Sequence, residues 1–543
     1  MNTVSNSLNE LAPVLGAAAM RQADRVTIEE IGIPGFTLME SAGRETTRVA
    51  QEMIELLMDV YSQADSPATG HVICVCGKGN NGGDGFVIAR YLASYGHRIE
   101  VLLMAPESDY TNDAAANLKI LRKLAAIQKN LTVLPFSTTA ALDKLETPDL
   151  LVDALLGTGL QSAVRAPYDA VIGWMNALMV PVLSVDVPSG ISSDSGHMMG
   201  CAVAAAETVT MGALKPGLLL GDGPDYSGAL HVVDIGIPAH VLQHIAASHD
   251  SPRISNSRYV AARLPEKSRK DHKYTSGPAL IAGGSASFPG APALAARGAA
   301  RSGSGYVVCA CPEEIRTILL EKLDDIPVES WPDNAQNGAD AVQRLVTKLG
   351  ARWTKAKSLL VGPGLGRAEG APDLVKALLT SFNGPCVVDA DALFALMGEQ
   401  DWVRAHSGGQ WVFTPHAGEF HRLMGPSSET DLLKMGIQFA KEWNVILLLK
   451  GQPSVTFSPD GHQVINTTGN PGAATAGSGD VLAGVVCGLL SQGLSPLDAA
   501  IGGIHLAGTA ADLFVEERAA PSMVASDILE LLPSAIAQLL PSE

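Results

Sequence analysis

The chain has 543 residues, 46% of them apolar, which is enough for large cores and too much for a disordered chain. Its 38 basic and 56 acidic side chains leave a formal charge of −18, which excludes the basic surface that tracks a polynucleotide backbone. A small phosphorylated ligand is not excluded, because a few backbone amides at one helix start can hold phosphate inside an acidic protein. No apolar run reaches the ~18 residues of a membrane span, and the opening MNTVSNSLNE lacks a basic leader region. A soluble, cytoplasmic protein with neither a nucleic-acid nor a membrane partner is expected. Its seven cysteines then read as buried reduced thiols rather than a disulfide framework.

In chain order, Met20 to about Tyr61 reads as helical. Apolar strands then alternate with helices: HVICVCG, a helix from Phe86 to Tyr95, IEVLLMA, a helix around Asn117 to Leu124, LTVLPF, LLVDALLG and PVLSVDVPSG. Such runs mean a parallel sheet covered on both faces, with ligands at the strand ends. The polar stretch HIAASHDSPRISNS reads as a linker, and beyond it a second series begins: PALIAGG, GYVVCACP, SLLVGPGLG, CVVDADAL, QWVFTPH, VILLLKG and SVTFSPDG. From about Gly479 the chain is helical. At ~150 residues per domain the length allows three or four domains, and two large α/β domains fit equally well. The text supports two, 1–245 and 257–543, with no internal repeat.

In the first half, Gly77, Gly79 and Gly82 match G-x-G-x-x-G after a strand, and Glu100 lies in the next strand, so a plain dinucleotide-binding domain is the first reading. Asn80, Asn81 and Asp84 are more than a loop for pyrophosphate requires. Asp153 in LLVDALLGTGL and Asp186 in SVDVPSG add carboxylates at strand ends. Together they offer oxygen ligands for a hard cation and a candidate acid/base, whereas any one of them alone could be a helix cap.

MRQADRVTIEEIGIPGFTLMESAGRE, NNGGDG, VDALLGTGL and VDVPSG resemble the epimerase domain of the bifunctional NAD(P)H-hydrate repair enzymes, from about Met20 to Ile237. The resemblance implies a Rossmann-like three-layer sandwich that inverts the hydroxylated carbon of the nicotinamide ring. It implies that Asn80, Asn81, Gly82, Gly83 and Asp84, with Gly157, Thr158, Gly159, Leu160, Gln161, Ser162 and Ala163, touch the hydrate. It further implies that Asn81, Asp153 and Ser189 hold potassium and that Asp186 meets the substrate. Asp186 and Asp153 are both candidates for the acid/base, and the sequence does not choose between them.

In the second half, Asn466 to Gly484 is the richest stretch. Gly477-Ser478-Gly479-Asp480 runs into an apolar helix whose first amides can hold an anion, and Asp480 beside them is either a base or a helix cap. Gly362-Pro363-Gly364-Leu365-Gly366, Asp389-Ala390-Asp391, Thr414-Pro415-His416 and Leu449-Lys450-Gly451 each follow a strand. These motifs resemble the ribokinase-like superfamily and, within it, the ADP-dependent NAD(P)H-hydrate dehydratases, over about Leu264 to Val515. The resemblance implies that Ala291, Gly364, His416 and Asp480 contact the hydrate. It also implies that Lys450, Gly451, Gln452, Pro453, Ser454 and Gly479 contact the nucleotide, with Asp480 as base and magnesium accompanying ADP. Two departures stand out: the family's usual Lys-Gly-Ala-Gly-Thr reads Lys-Gly-Gln-Pro-Ser, and Ala476 replaces a usual Gly, which requires a negative φ there.

The expected function is repair of hydrated NADH and NADPH, by epimerisation in the first half and ADP-driven dehydration in the second, in a homo-oligomer. The alternatives are a ribokinase-like small-molecule kinase with an N-terminal nucleotide-binding domain, and a binding module without turnover.

Overall fold

The computed structural model describes residues 8, 10–61, 69–266, 268–270, 272–273, 275–332 and 337–540, so most of MNTVSNSLNE lies outside the described residues. Two compact units divide the chain: Pro13–Pro252 forms one, and Arg253 onward, together with the residues before Pro13, forms the other.

The first unit opens with α1 (Ala17–Arg25), then a π-helical turn Val26–Ile31, then α2 (Gly35–Tyr61). The single helical run expected here is broken because Gly32, at φ 90°, closes the π turn and Pro34 follows. Next come β1 (His71–Cys76), α3 (Asn80–Ser94), β2 (Arg98–Leu103), α4 (Asn112–Ala125), β3 (Leu131–Pro135), β4 (Leu150–Ala154), α5 (Tyr168–Ala177), β5 (Val182–Val185), β6 (Glu207–Met211), β7 (Ala229–Val233) and α6 (Ala239–Ser248). The strands form one parallel sheet in the order β3-β2-β1-β4-β5-β6-β7. The order reverses between β1 and β4, and ligands of open α/β sheets bind at such a point. Alternate residues feed two cores: Val72, Cys74 and Val152 face α2 and α3, while Ile73, Val75 and Leu151 face α5.

The glycine-rich run is not a loop before a helix at Phe86; it is the first turn of α3, which starts at Asn80. A Cβ on Gly82 would sit 1.8 Å from the Gly77 carbonyl oxygen, and one on Gly85 would sit 2.7 Å from Cys76 Sγ. Bare backbone is therefore what lets the helix begin hard against the ends of β1 and β4. Glu100 is not a ribose-binding acid: it accepts from Arg98 Nη2 at 2.8 Å on the strand surface.

In the second unit an 11-stranded sheet runs, in order, Ala12–Pro13, β8 (Arg253–Ile254), β17 (Gln463–Asn466), β16 (Ser454–Phe457), β15 (Ile446–Leu449), β14 (Trp411–Phe413), β13 (Cys386–Val388), β12 (Ser358–Val361), β9 (Pro278–Ala282), β10 (Tyr306–Pro312) and β11 (Val328–Trp331). It is parallel from β11 to β15, and β15-β16-β17 is an antiparallel meander. One face is covered by α7 (Ala291–Arg301), α9 (Ser478–Ser491), α10 (Pro496–Glu517) and α11 (Ala525–Leu539), while α8 (Ala417–Met424) follows β14. The helices α7 and α9 cross with no side chain between them, since a Cβ on Gly484 would lie 2.0 Å from the Ala295 carbonyl oxygen.

All seven cysteines are free; six are buried and Cys201 is half-buried, and burial pushes the Cys74 thiol up to about 12. Among the described residues no helix is long and apolar enough to cross a membrane.

Leu8 and Leu11, at 3% and 0% exposure, sit in the core of the second unit although they precede the first unit in the chain. Leu11→Ala should cost roughly 2–5 kcal/mol, as buried leucine truncations do, and only in the second unit. Hydrogen exchange resolved by peptide would show lost protection in β17 and α10 and none in β1 or β4. Equal loss in both sheets would contradict this assignment.

Candidate active sites

Asp153, at the end of β4, is fully buried, and each of its oxygens accepts two hydrogen bonds. Oδ1 takes Ser189 Oγ at 2.6 Å and the Leu155 amide at 3.2 Å; Oδ2 takes the Ser189 amide at 2.8 Å and Ser184 Oγ at 2.9 Å. Burial raises its carboxyl despite those donors. Ser189 Oγ also accepts from the Leu156 amide at 2.8 Å, and Asn81 Nδ2 donates to the Leu156 carbonyl at 3.2 Å. Of the three residues expected to hold potassium, Asn81 and Ser189 thus meet at Leu156, and Ser189 ties that residue to Asp153. They present an amide oxygen, a hydroxyl, a carboxylate and a carbonyl, a donor set suited to a hard cation. Gly157 lies against the Asn81 side chain, and Gly159, Gln161, Ser162 and Ala163 continue from it as an exposed wall, with Thr158 and Leu160 half-buried. Asn80 is exposed at the start of α3, whereas Gly82, Gly83 and Asp84 are buried.

Asp186 belongs to a different cluster. It follows β5 at φ 69°, a left-handed conformation that Asp adopts more readily than most non-glycine residues. Its Oδ1 accepts from Thr210 Oγ1 and from the Met211 amide, both at 3.2 Å, and pairs with Lys215 Nζ. Lys215 is only 1% exposed, and its ammonium also donates to Thr210 Oγ1 at 2.8 Å and to the Met211 carbonyl at 2.9 Å. Asp84, 9% exposed, has no hydrogen-bond partner among the described residues. Burial, then Asp186 and Asp24, push its carboxyl well above the usual range, and Lys215 only partly offsets them. Burial also lifts Asp24 of α1 to about 6, with Lys215 opposing and Asp186 assisting.

Lys215 and Asp24 were missed in the sequence. A lone lysine inside the apolar run VTMGALKPGLLLG was a signal, because burying one ammonium demands a partner. Asp24, between Arg21 and Arg25 on a helix, reads as surface charge and carries no such signal.

In the second unit, Asp480 lies in the first turn of α9, whose N-cap Gly477 stands at φ 90° and leaves the first amides without a side-chain cap. Asp480 accepts no hydrogen bond from the described residues, so it does not cap the helix. Burial, then Asp389, lift its carboxyl to about 7 against the pull of Lys450. Lys450 Nζ donates to Asp389 Oδ1 at 3.0 Å, which also accepts from Thr414 Oγ1 at 2.8 Å, and the ammonium stands 3.2 Å from where a Gly479 Cβ would be. Burial alone would lower the Lys450 ammonium, but Asp389 and Glu419 outweigh it and keep it raised.

Lys450 also joins His416 through a bridge between their backbones, its amide donating to the Pro415 carbonyl at 2.9 Å. His416 caps α8 through Nδ1, accepting from the Gly418 amide at 3.0 Å, which leaves Nε2 with Glu419 at 3.6 Å. Gly364, at φ 62°, sits against Ala291, the first residue of α7. The Gly451–Ser454 turn is closed on itself, Ser454 Oγ donating to the Gly451 carbonyl at 2.9 Å, while Gln452 Nε2 reaches the Gly469 carbonyl at 3.2 Å; the Gln452–Pro453 bond is cis. Ala476 is not among the residues with positive φ, so the missing glycine costs no backbone strain there.

A parallel sheet ending in a carboxylate-lysine cluster, and a second sheet beside which an unbonded aspartate stands in the first turn of a helix without a side-chain cap, define a two-domain α/β enzyme. Residues 279–534 match the NAD(P)H-hydrate dehydratase family, and residues 35–217 match the family described as the N-terminus of YjeF-related proteins. The chain is 43% identical to the bifunctional NAD(P)H-hydrate repair enzyme of Salinibacter ruber, over 97% of this chain and 96% of that protein. It is 38% identical to the enzyme of the same name from Moorella thermoacetica, over 95% of each. Among solved structures, it is similar to an ADP/ATP-dependent NAD(P)H-hydrate dehydratase of Bacillus subtilis co-crystallised with ATP and Mg2+. That match has 29% identity and a TM-score of 0.43, covering 53% of this chain and 98% of the other. The chain belongs to the bifunctional NAD(P)H-hydrate repair enzymes, with the epimerase and dehydratase domains in that order.

Because the fold favours the neutral Asp480 carboxyl, the stability this group contributes is full below its ordinary 3.8 and is lost as pH rises through about 7. Asp480→Asn should therefore stabilise the second unit at pH 8 by roughly 1–3 kcal/mol, with the gain vanishing near pH 4. Denaturant titration at the two pH values checks this; an equal shift at both would contradict it.

Proposed function

We propose that the first unit interconverts the R and S hydrates of NADH and NADPH and that the second dehydrates the S hydrate at the expense of ADP. The observation that carries the second step is the pairing of an uncapped helix start with an unbonded, half-buried Asp480 at its first turn. Asp480 takes the proton of the substrate hydroxyl as that oxygen attacks the terminal phosphorus of ADP, releasing AMP. The amides from Gly477 to Gly479 and the Lys450 ammonium stand where phosphoryl charge develops. The resulting phosphate ester then leaves as phosphate with a ring proton, restoring the dihydronicotinamide. Magnesium would arrive on the nucleotide's phosphates, since this ion prefers phosphate and water oxygens to an all-protein cage. Ala291, Gly364 and His416 would line the hydrate, and Gly451 to Ser454 the adenosine side.

In the first unit, Asn81, Asp153 and Ser189 would hold potassium, which supplies a fixed positive charge beside the substrate. Asp153, with both oxygens doubly bonded, is suited to holding Ser189 in place rather than to moving protons. That leaves Asp186 as the acid/base of the two candidates, with the loops Asn80–Asp84 and Gly157–Ala163 around the hydrate.

The test is recovery of reduced nicotinamide absorbance from a mixture of R and S hydrates, with and without ADP. Full recovery should require ADP. Asp480→Ala should abolish recovery and leave R/S interconversion at the wild-type rate. Asp186→Ala should allow rapid recovery of the S half only. A kinase would consume ADP and accumulate phosphorylated hydrate without regaining absorbance, and that outcome would end this reading.

A further inference from the structure

We propose that Asp24 is a second catalytic residue of the epimerase site, the proton donor that works together with Asp186. The inference rests on the epimerase reading above and adds to it a residue outside the glycine and strand-end motifs. Three observations place Asp24 there. First, the segment leading into α1 is tied to the loop that carries Lys215: the Leu15 amide donates to the Leu214 carbonyl at 2.8 Å, and the Met20 methyl lies 3.6 Å from where a Gly212 Cβ would be. Second, Asp24 lies four residues after Met20, one turn on along the same face of α1, so the face that meets Gly212 is the face that carries it. Third, the charged groups acting on Asp24 are Lys215 and Asp186, and Asp24 in turn acts on Asp84, so the four groups form one electrostatic unit. On the far side of α1, Gln22 is engaged by His249 at 2.6 Å and takes no part.

Inverting the hydroxylated carbon calls for one group that accepts a proton while another gives one. The carbon carries both the hydroxyl and the ring nitrogen. Asp186, paired with Lys215, takes the hydroxyl proton; the O–H electron pair becomes the second C–O bond of an aldehyde. The C–N bond breaks with its electrons moving to nitrogen, which takes a proton from Asp24. Rotation about the adjacent C–C bond presents the other face of the carbonyl. Nitrogen re-adds, the oxygen recovers a proton from Asp186, and Asp24 takes back the proton from nitrogen. Nothing is consumed, so no further co-reactant is required. Asp24 fits the donor role because burial lifts it to about 6, which leaves it exchangeable near neutrality. Asp84, its carboxyl pushed well above the usual range by burial, adds a further polar group to the same cluster.

The experiment follows pure R hydrate converting to the R/S mixture, without nucleotide, for wild type, Asp24→Asn and Asp24→Glu between pH 5 and 8. Wild-type kcat should fall as pH rises through about 6. Asp24→Asn should lose about 100-fold or more in kcat with KM within about threefold and should show no limb near pH 6; Asp24→Glu should regain part of the loss. The Asn variant mimics the neutral form the fold favours, and an unchanged circular dichroism spectrum checks its folding. If that spectrum is altered, the wild-type profile and Asp24→Glu decide: a limb near 6 that moves in the Glu variant supports the proposal. Asp24→Asn retaining a third of wild-type kcat, a loss confined to KM, or a flat wild-type profile would each overturn the role of Asp24. Failure of wild type to interconvert the hydrates would instead overturn the epimerase reading itself.

Discussion

Lys215 places its ammonium against Asp186, Thr210 and the Met211 carbonyl with 1% of its surface exposed, and the polar cluster of the first unit is organised around that placement. A buried ammonium without partners would cost several kcal/mol; here three acceptors surround it, and its charge offsets part of the burial of Asp84 and Asp24. The second unit repeats the device with different residues. Lys450 is paired with Asp389 and stands beside Gly479, while Asp480 lies within its field. In each case one lysine neutralises one aspartate outright and leaves a neighbouring carboxyl half-compensated. Burial lifts Asp24 to about 6 and Asp480 to about 7 against the pull of those lysines, and values near neutrality suit proton transfer.

Position on the sheet explains why the lysines and aspartates meet. Parallel strands deliver the residue after each strand to the same edge, and the helices that follow present their amides there. Asp153, Asp186, Asp389, His416 and Lys450 all end strands or follow them closely. The glycines supply the remaining condition. Those at 82 and 85 let α3 begin against the strand ends, and Gly484 lets α7 and α9 cross backbone to backbone. The helix-start amides can therefore lie close to the carboxylates, and the charge of −18 does not cancel their local dipoles, because surface charge beyond a Debye length is largely screened.

The two sheets, their strand ends and the carboxylates at those ends were legible because parallel strands are long apolar runs and these polar residues follow immediately. Helix starts were not. The glycines of NNGGDG read as a loop, since glycine is a poor helix former, yet close contact with β1 and β4 overrides that propensity. Asp24 was illegible for a related reason: on α1 it stands between Arg21 and Arg25, and only the tertiary position of the helix separates a half-buried carboxyl from a solvated one. Asp153 and Asp186 looked equivalent as strand-end aspartates. What distinguishes them is the count of donors on each, four on Asp153 from Ser184, Ser189 and Leu155, and a donor count is a property of the folded loop.

The place of Leu8 and Leu11 in the second core raises a problem of chain entropy that the first unit solves. The contact from Arg253 Nη1 to the Leu11 carbonyl spans 242 residues, and closing so long a flexible loop would cost about 5 kcal/mol by the (3/2)RT ln n scaling. The first unit removes most of that cost once it is folded, because the Val14 amide donates to the Pro252 carbonyl at 2.9 Å, bringing its two ends together. Residues on either side of those ends then meet as neighbours rather than as the termini of a long loop. The first fold is thus an insertion, in physical terms, between two parts of the second. Closely spaced termini are what make such insertions tolerable. The short strands Ala12–Pro13 and Arg253–Ile254 at the outer edge of the second sheet are the seam where the inserted unit leaves and rejoins it.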